Sequence, residues 1–224
     1  MSFELINSTL LRGFGTTCLL FILTLVLSLP LGLLIMFGLK CPVKIVSWLC
    51  RIFVWIIRGT PLMLQLFVVF YVPSLLFGIK LFSFTNGTVF EGRFLAALIT
   101  FVINYECYFS VIFKCGVDNI SRGQYEAGKV LGLTKSQIFY KIVLLQVIKT
   151  IISPISNEVI TLVKDTSLAR VISVAEIFFI NETEILSKAI VWPLFYIAVF
   201  FLLFIGLLTI LFNYLEKKLS YFKA

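Results

Sequence analysis

Histidine is absent from this sequence of 224 residues, and charged residues of either sign are scarce. Without histidine, the chain cannot build a His-dependent catalytic triad, a His-ligated haem or the common catalytic zinc sites. Charged residues make up 13% of the chain and hydrophobic residues 60%, whereas soluble domains carry about 25% charge. A soluble core of this size could not bury so much apolar surface, so we expect an all-α membrane protein with a lipid bilayer as its solvent.

The few charges are mostly basic. Nineteen lysines and arginines stand against eleven acids, a net charge of +8. A basic excess can indicate nucleic-acid binding, but with so few charges it is better explained by the cytoplasmic face of a membrane protein. We therefore expect no nucleic-acid partner.

The cysteines give no sign of a disulfide or metal framework. Their number is odd, they form no Cys-x-x-Cys pair, and most fall in or beside apolar runs. Such cysteines ordinarily pack as small hydrophobic residues. The five are Cys18, Cys41, Cys50, Cys107 and Cys115.

Long apolar runs predict about five membrane-spanning helices, since roughly 20 residues cross a bilayer. The fourth run has only 14 residues, and it crosses most of the bilayer only if it extends backwards through Val143–Lys149. Before the second run, the basic and Trp-rich stretch from Lys44 to Arg58 resembles an interfacial helix leading into a span. The five runs are Gly13–Leu39, Pro61–Ile79, Phe94–Phe113, Thr150–Val163 and Ile190–Phe212.

Basic residues set the predicted orientation. With the N-terminus outside and five spans, 13 of the 19 basic residues lie inside and six outside, as the positive-inside rule favours. Omitting the fourth span would place both termini on one side and the basic C-terminal tail outside, which fits less well. We therefore expect the N-terminus outside and the C-terminus in the cytoplasm.

The predicted cytoplasmic loop between the third and fourth spans is more patterned than a connection needs to be. Ser121 and Gln124 have the spacing of a capping box, which predicts a helix start. Thr134 and Gln137 repeat that spacing, and Gly132 stands between the two helices where a left-handed residue is wanted. A helix of about ten residues buries little by itself, so we expect it to dock on a partner. An amphipathic loop lying on the lipid headgroups is the alternative.

One motif in this loop is misleading. Gly123 to Val130 nearly matches the phosphate-binding pattern G-x-x-x-x-G-K-[ST], but the last position is valine instead of a hydroxyl residue. No strand is predicted before it, and no α/β domain is predicted to hold it. We therefore expect this chain to bind no nucleotide.

Three motifs, in order, resemble the membrane permease subunits of ABC importers, specifically the polar amino acid family (histidine, glutamate, glutamine, arginine and opines). The first is Arg58-Gly59-Thr60-Pro61-Leu62 with Gln65. The second is Glu126-Ala127-Gly128-Lys129-Val130-Leu131-Gly132, with Ile142-Val143-Leu144-Leu145 downstream. The third runs from Asn157 to Leu168 and is followed by Val174-Ala175-Glu176. The resemblance covers about residues 10–216.

The sequence departs from the family pattern at three points. Gly128 replaces the second alanine of the loop motif, which should loosen the docking helix because glycine costs roughly 1 kcal/mol against alanine in a helix. Leu145 replaces a proline, so the second loop helix should run more smoothly into the fourth span. The acid often found near the end of the third span is Val111 here, and the intramembrane acid is Glu106 instead.

The resemblance implies a type I ABC importer permease fold in a bacterial cell (inner) membrane: one transmembrane domain over residues 1–224, with a cytoplasmic coupling helix region at 121–133. It also implies a second permease copy or paralogue, two ATPase subunits that bind ATP and Mg²⁺, and an extracytoplasmic binding protein that delivers an amino acid. This chain itself would bind no cofactor and catalyse no reaction. Contact with the ATPase would fall to Gln124, Glu126, Ala127, Gly132 and Leu133.

Polar residues at membrane depth form the predicted substrate path, because such groups usually face a bundle interior or a water-filled cavity. Glu158 and Asp165 are seven residues apart and share a helix face. Charges of both signs can hold the ammonium and the carboxylate of an amino acid; alternatively, they form an internal ion-pair network that fixes the gate. The set is Asn104, Glu106, Asn157, Glu158, Lys164 and Asp165.

Two other classes of protein compete with this interpretation. An integral membrane enzyme, such as an acyl- or glycosyl-transferase, would use Glu106, Glu158 and Asp165 as acid/base groups, but no histidine, nucleophile motif or metal cluster accompanies them. A subunit of a non-ABC membrane complex, or a simple channel, is the second. ATP-dependent uptake after co-expression with an ATPase subunit separates the importer from both, whereas turnover by the purified chain alone would indicate an enzyme.

Overall fold

The computed structural model describes residues 3–79, 81–82, 84, 91–185 and 191–219, and every regular element within them is a helix. A π-helical turn at Phe139–Val143 joins α6 to α7, a 3₁₀ segment at Thr166–Ile172 continues α7, and a second π-turn, Asn181–Ile185, follows α8. The helices are α1 (Phe3–Leu39), α2 (Lys44–Gly59), α3 (Leu62–Phe77), α4 (Gly92–Asp118), α5 (Arg122–Val130), α6 (Lys135–Ile138), α7 (Leu144–Asp165), α8 (Ile177–Ile180) and α9 (Pro193–Leu219).

Four of the described helical segments are long and apolar enough to cross a bilayer. They are Ile6–Leu39, Gly92–Asp118, Lys135–Ile172 and Pro193–Leu219. A fifth span forms if α2 and α3 are taken together, because they pass the same test as a pair bent by 104°. The expectation of about five spans is therefore confirmed. Ile190, the predicted start of the last span, lies outside the described residues, as do the basic residues Lys80, Lys188 and Lys223.

The bend between α2 and α3 falls at Thr60 and Pro61. Proline has no N–H to continue a helix and disfavours the helical conformation in the residue before it. Thr60 accordingly has an extended backbone at φ −115° and ψ 142°. At 16 residues, α3 alone is about 24 Å long, short of the roughly 30 Å hydrocarbon thickness. The second span is thus the bent pair of α2 and α3, instead of the run Pro61–Ile79 alone with an interfacial helix before it.

The fourth span extends well beyond its weak predicted core. One helical segment runs through Lys135–Ile172, 38 residues in all. The expected backward extension through 143–149 is confirmed, and so is the smooth passage at Leu145, where no break occurs.

The core lies between α1 and α4. Phe94, Phe101, Tyr105 and Phe109 of α4 are buried to within 2% of full enclosure. Gly32 of α1 permits close contact there, since a Cβ on it would lie 2.9 Å from the Glu106 carbonyl oxygen. Because α1, α3 and α7 all pack against α4, the third span becomes the centre of the bundle and presents residues to each neighbour.

Candidate functional site

A polar cavity of about 430 Å³ opens where the α2–α3 bend faces α4 and α7. The bend supplies backbone and one guanidinium, α4 supplies an amide and two phenols, and α7 supplies a hydroxyl and two carboxyls. The lining residues are Arg58, Gly59, Thr60, Pro61, Leu62, Asn104, Tyr105, Tyr108, Glu158, Thr161 and Asp165.

Gln65 fixes the bend on one side of this cavity. Its Nε2 donates to the carbonyl oxygens of Ile57 at 2.7 Å and Thr60 at 3.1 Å, and lies 2.9 Å from the Thr60 hydroxyl. Its Oε1 accepts from Nδ2 of Asn104 at 3.0 Å. These bonds satisfy carbonyl groups that the helix break leaves without helical partners, which a buried site requires. One glutamine thus ties both halves of the broken span to α4.

The cavity holds charges of both signs. The Tyr105 hydroxyl donates to Oδ2 of Asp165 at 2.7 Å. The Arg58 guanidinium lies 4.9 Å from the centre of the Tyr108 ring, within the range of a cation–π contact. Glu158 lies on the same side of α7 as Asp165. One cation, Arg58, and two carboxyls therefore surround a single cavity.

The structure brings together three of the six predicted path residues. Asn104, Glu158 and Asp165 line the cavity, and the shared face of the last two is confirmed. Asn157 and Lys164 are exposed on other parts of α7 and do not line it. Glu106 is 9% exposed on α4 and is also outside this lining. Their place in a substrate path stays a prediction.

The lining side chains that were not predicted include Arg58, Tyr105, Tyr108 and Thr161. Arg58 stood in a recognised motif, and its neighbour Pro61 signalled the bend that turns it inward. Thr161 lies between Glu158 and Asp165 at helical spacing and carried the same signal. Tyr105 and Tyr108 lie in the apolar run Phe94–Phe113. The hydrophobic pattern of that run does not distinguish them from aromatic residues that face lipid.

The α5 region forms the second candidate surface. Gly132 has φ +73°, so the predicted left-handed residue after the helix is confirmed. The capping box of Thr134 and Gln137 is also confirmed, with both reciprocal bonds present at 3.3 and 2.9 Å. The predicted box at Ser121 is wrong, because its side chain makes no cap bond. Gln124 instead accepts at Oε1 from the Gln146 amide at 3.1 Å.

Gly128 seats α5 on the underlying helix. It is buried, and a Cβ on it would lie 2.7 Å from Cγ1 of Ile138. Tyr125 and Leu133 join Ile138 in the same apolar cluster. Glycine at position 128 therefore lets α5 approach Ile138 closely. A looser helix was the only effect expected from the sequence, which did not predict this packing role.

The outer face of α5 is uncovered. Val130 is 87% and Leu131 74% exposed, and Glu126 and Ala127 lie exposed beside them. Two large apolar side chains at the end of a nine-residue helix are an unusual exposure for an isolated surface. The misleading phosphate-loop pattern lies in this helix, which has the wrong conformation for a phosphate-binding loop.

Glu176, in the third family motif, caps the beginning of the short helix α8. It is fully buried and accepts from the backbone N–H groups of Phe178 at 2.9 Å and Phe179 at 2.7 Å. Burial raises the pKa of Glu176 to about 7, against the opposing effect of these two bonds. The N–H of Ile177, the first residue of α8, donates to the Thr17 hydroxyl at 3.3 Å and links this segment to α1.

The chain is a multi-span helical bundle with a broken second span, a polar intramembrane cavity and an uncovered helix outside the spans. These are the features of a membrane transport component. The family of binding-protein-dependent transport system inner membrane components matches residues 28–221, and the chain belongs to this family of multi-pass permeases.

Relatives and solved structures agree with this assignment. The chain is 36% identical to the L-cystine transport system permease protein TcyB of Bacillus subtilis, over 74% of the chain and 66% of TcyB. It is 31% identical to the permease protein GlnM of the same organism, over 95% of the chain and 94% of GlnM. The fold matches the crystal structure of an amino acid ABC transporter with histidines at a TM-score of 0.80, covering 95% of this chain and 94% of that one at 23% identity.

Proposed function

We propose that this chain is the permease subunit of an ATP-driven importer of a polar amino acid and forms half of the translocation pathway. The observation that carries the proposal is the cavity in which Arg58 faces Glu158 and Asp165. An amino acid presents a carboxylate and an ammonium, and opposite charges around one intramembrane cavity recognise both. The cystine permease TcyB supports the same class of substrate.

The charged cavity is testable by uptake into proteoliposomes that contain the complete importer, with both permeases and the ATPase subunits in the membrane and the binding protein added. Glu158→Gln keeps the shape of the side chain and removes its charge. We expect apparent KM to rise at least about tenfold, as for a lost charged contact of roughly 1.5–3 kcal/mol. Glu182→Gln, on an exposed residue outside the cavity, is the matched control and should leave KM unchanged. Unchanged KM in Glu158→Gln with uncoupled ATP hydrolysis would assign Glu158 to the gate.

Coupling is proposed to run through the outer face of α5. Glu126 and Ala127, with the exposed Val130 and Leu131, would contact an ATPase subunit, and Gln124 would hold α5 through its bond to Gln146. Gly132 would set the angle of the loop, and Leu133 would support it from the cluster beneath. ATP and Mg²⁺ would bind on two such ATPase subunits, while a second permease and an extracytoplasmic binding protein complete the importer.

Gly132→Val tests this coupling role. A left-handed backbone costs a β-branched residue at least 1–2 kcal/mol, so the loop should shift while the spans stay inserted. We expect normal membrane levels, residual ATP hydrolysis and uptake reduced at least tenfold. Gly206→Val on α9, where nothing lies within 4 Å of a Cβ, is the control. Normal uptake by Gly132→Val would exclude the hinge.

The orientation with the N-terminus outside and residues 1–224 forming one transmembrane domain completes the proposal. In a cysteine-free chain expressed without the ATPase subunits, a cysteine at Leu131 should react with an impermeant maleimide only from the cytoplasm, and one at Leu81 only from outside. Both side chains are well exposed, at 74% and 56%. The opposite labelling of either position would reverse the topology.

A further inference from the structure

Helix α2 has the opposite arrangement of polar and apolar residues to a surface helix in water. Its buried residues, Ser47 and Val54, are seven apart and mark the face that packs on the protein. Arg51 lies between them on the same face. The opposite side carries exposed apolar residues, which in a water-facing helix would point inward. These are Ile45, Trp48, Leu49, Trp55 and Ile56.

Between α2, the end of α1 and α4 lies a second cavity of about 560 Å³. Three cations line it: Arg51, Arg58 and Lys114. No acidic side chain is among its described lining residues, whose other members are neutral. Those are Leu39, Val54, Trp55, Gly59 and Val111.

The cations of this basic cavity are only partly neutralised, since Arg58 also lines the first cavity with Glu158 and Asp165. Arg51 donates from Nη2 to the Ser47 hydroxyl at 3.0 Å, and that hydroxyl donates to the Leu39 carbonyl at 2.9 Å. This leaves most of the five guanidinium N–H donors for another ligand. Lys114 shares Asp118 with Lys40, at 2.6 and 2.8 Å, so one carboxylate serves two ammonium groups. The cavity therefore keeps an excess of positive charge.

We propose that this basic cavity binds the phosphate of an anionic phospholipid. Cations at membrane depth require an anion or water, and an arginine fork matches phosphate oxygens bidentately. Trp55 stands at the rim with 75% of its side chain exposed, as tryptophans do at the level of lipid headgroups. The acyl chains would run along the exposed apolar face of α2. Basic pockets between membrane helices bind anionic headgroups in this way.

Lipid retention by the purified full-length chain tests the proposal without any uptake measurement. The chain in zwitterionic micelles is mixed with palmitoyl-oleoyl phosphatidylglycerol or with phosphatidylcholine of the same chains, and bound lipid is counted by native mass spectrometry. We expect phosphatidylglycerol to be retained preferentially and at a stoichiometry of one. Inorganic phosphate at millimolar concentration should not displace it. Equal retention of the two lipids, or full displacement by phosphate, overturns the lipid assignment.

A pair of double variants locates the site. Arg51→Gln/Lys114→Gln removes two cavity cations, whereas Lys135→Gln/Lys141→Gln removes two exposed cations outside it. Only the first should weaken phosphatidylglycerol binding, by about 30-fold for two cations. Arg51→Lys/Lys114→Arg keeps the charge and should retain binding. If the first pair does not fold, the single variant Arg51→Gln replaces it and should weaken binding about fivefold for one cation. Equal binding by the cavity and control pairs overturns the site. So does a loss confined to apparent KM for uptake, which would assign the cavity to the substrate carboxylate because Arg58 and Gly59 line both cavities.

Discussion

Two helices of equal length show how differently one bundle uses its spans. Both α4 and α9 have 27 residues and cross the bilayer. In the most apolar stretch of α4, 56% of the residues are buried inside the chain, against 6% in α9. The more polar helix is therefore the enclosed one, and the more apolar helix faces outward.

The difference follows from what surrounds each helix. Four helices, α1, α2, α3 and α7, pack against α4, so its polar side chains find partners: Asn104 bonds Gln65 and Tyr105 bonds Asp165. Most of α9 faces outward from the chain, and unpartnered polar groups would be expensive where such a face meets lipid. A span that carries function can therefore be recognised by its polar residues. A uniformly apolar span gives no such sign, and its position is known only from what surrounds it.

The largest difference between α4 and α9 is expected in the free energy of unfolding when a large side chain is truncated. Phe101 of α4 is fully buried, while Leu202 of α9 is 71% exposed. Phe101→Ala should lower the free energy of unfolding by about 3–5 kcal/mol through lost packing and a cavity. Leu202→Ala should change it by less than about 0.5 kcal/mol. Unfolding by sodium dodecyl sulfate in mixed micelles, followed by circular dichroism, measures both; equal losses would show that burial within one chain does not set stability.

How much of this arrangement the sequence predicts depends on the range of the signal. The Thr134 capping box and the left-handed Gly132 were predictable because they depend on a few neighbouring residues. Glu158 and Asp165 were placed on one face because seven residues make nearly two full helical turns.

Signals that depend on tertiary contacts were not predictable. Ser121 has the same spacing as Thr134, yet Gln124 bonds Gln146, which lies 22 residues away in the chain. The space that Gly128 gives to Ile138 is likewise a contact between two helices. The 104° bend brings Arg58 to Tyr108 of α4. The apolar run of α4 does not show in advance which of its faces will contact the bent pair.

A smaller effect is expected from a paired glycine experiment. A Cβ on Gly32 would lie 2.9 Å from both the Glu106 carbonyl oxygen and Cβ of Phe109. Because these atoms belong to the backbone and stem of α4, they cannot swing away, and Gly32→Ala should cost about 1–3 kcal/mol. Gly206→Ala on α9 meets nothing within 4 Å and should gain about 0.5–1 kcal/mol from helix propensity. Opposite signs in the same unfolding assay support the comparison, and two stabilising changes would refute it.

The smallest effect tests how α9 stays attached to the bundle. Near its beginning, the Tyr196 hydroxyl donates to Oδ1 of Asn7 on α1 at 3.0 Å. Tyr196→Phe removes that bond and keeps the edge-on ring contact with Phe200 at 4.8 Å, so we expect a loss of about 0.5–1.5 kcal/mol. Tyr214→Phe, on a side chain 62% exposed, is the control. Aromatic contacts such as Phe14 with Phe200 at 4.9 Å should hold the rest, because dispersion and ring packing survive in lipid where hydrophobic attraction does not. A loss above about 3 kcal/mol would mean that this one polar bond, rather than ring packing, joins α9 to α1.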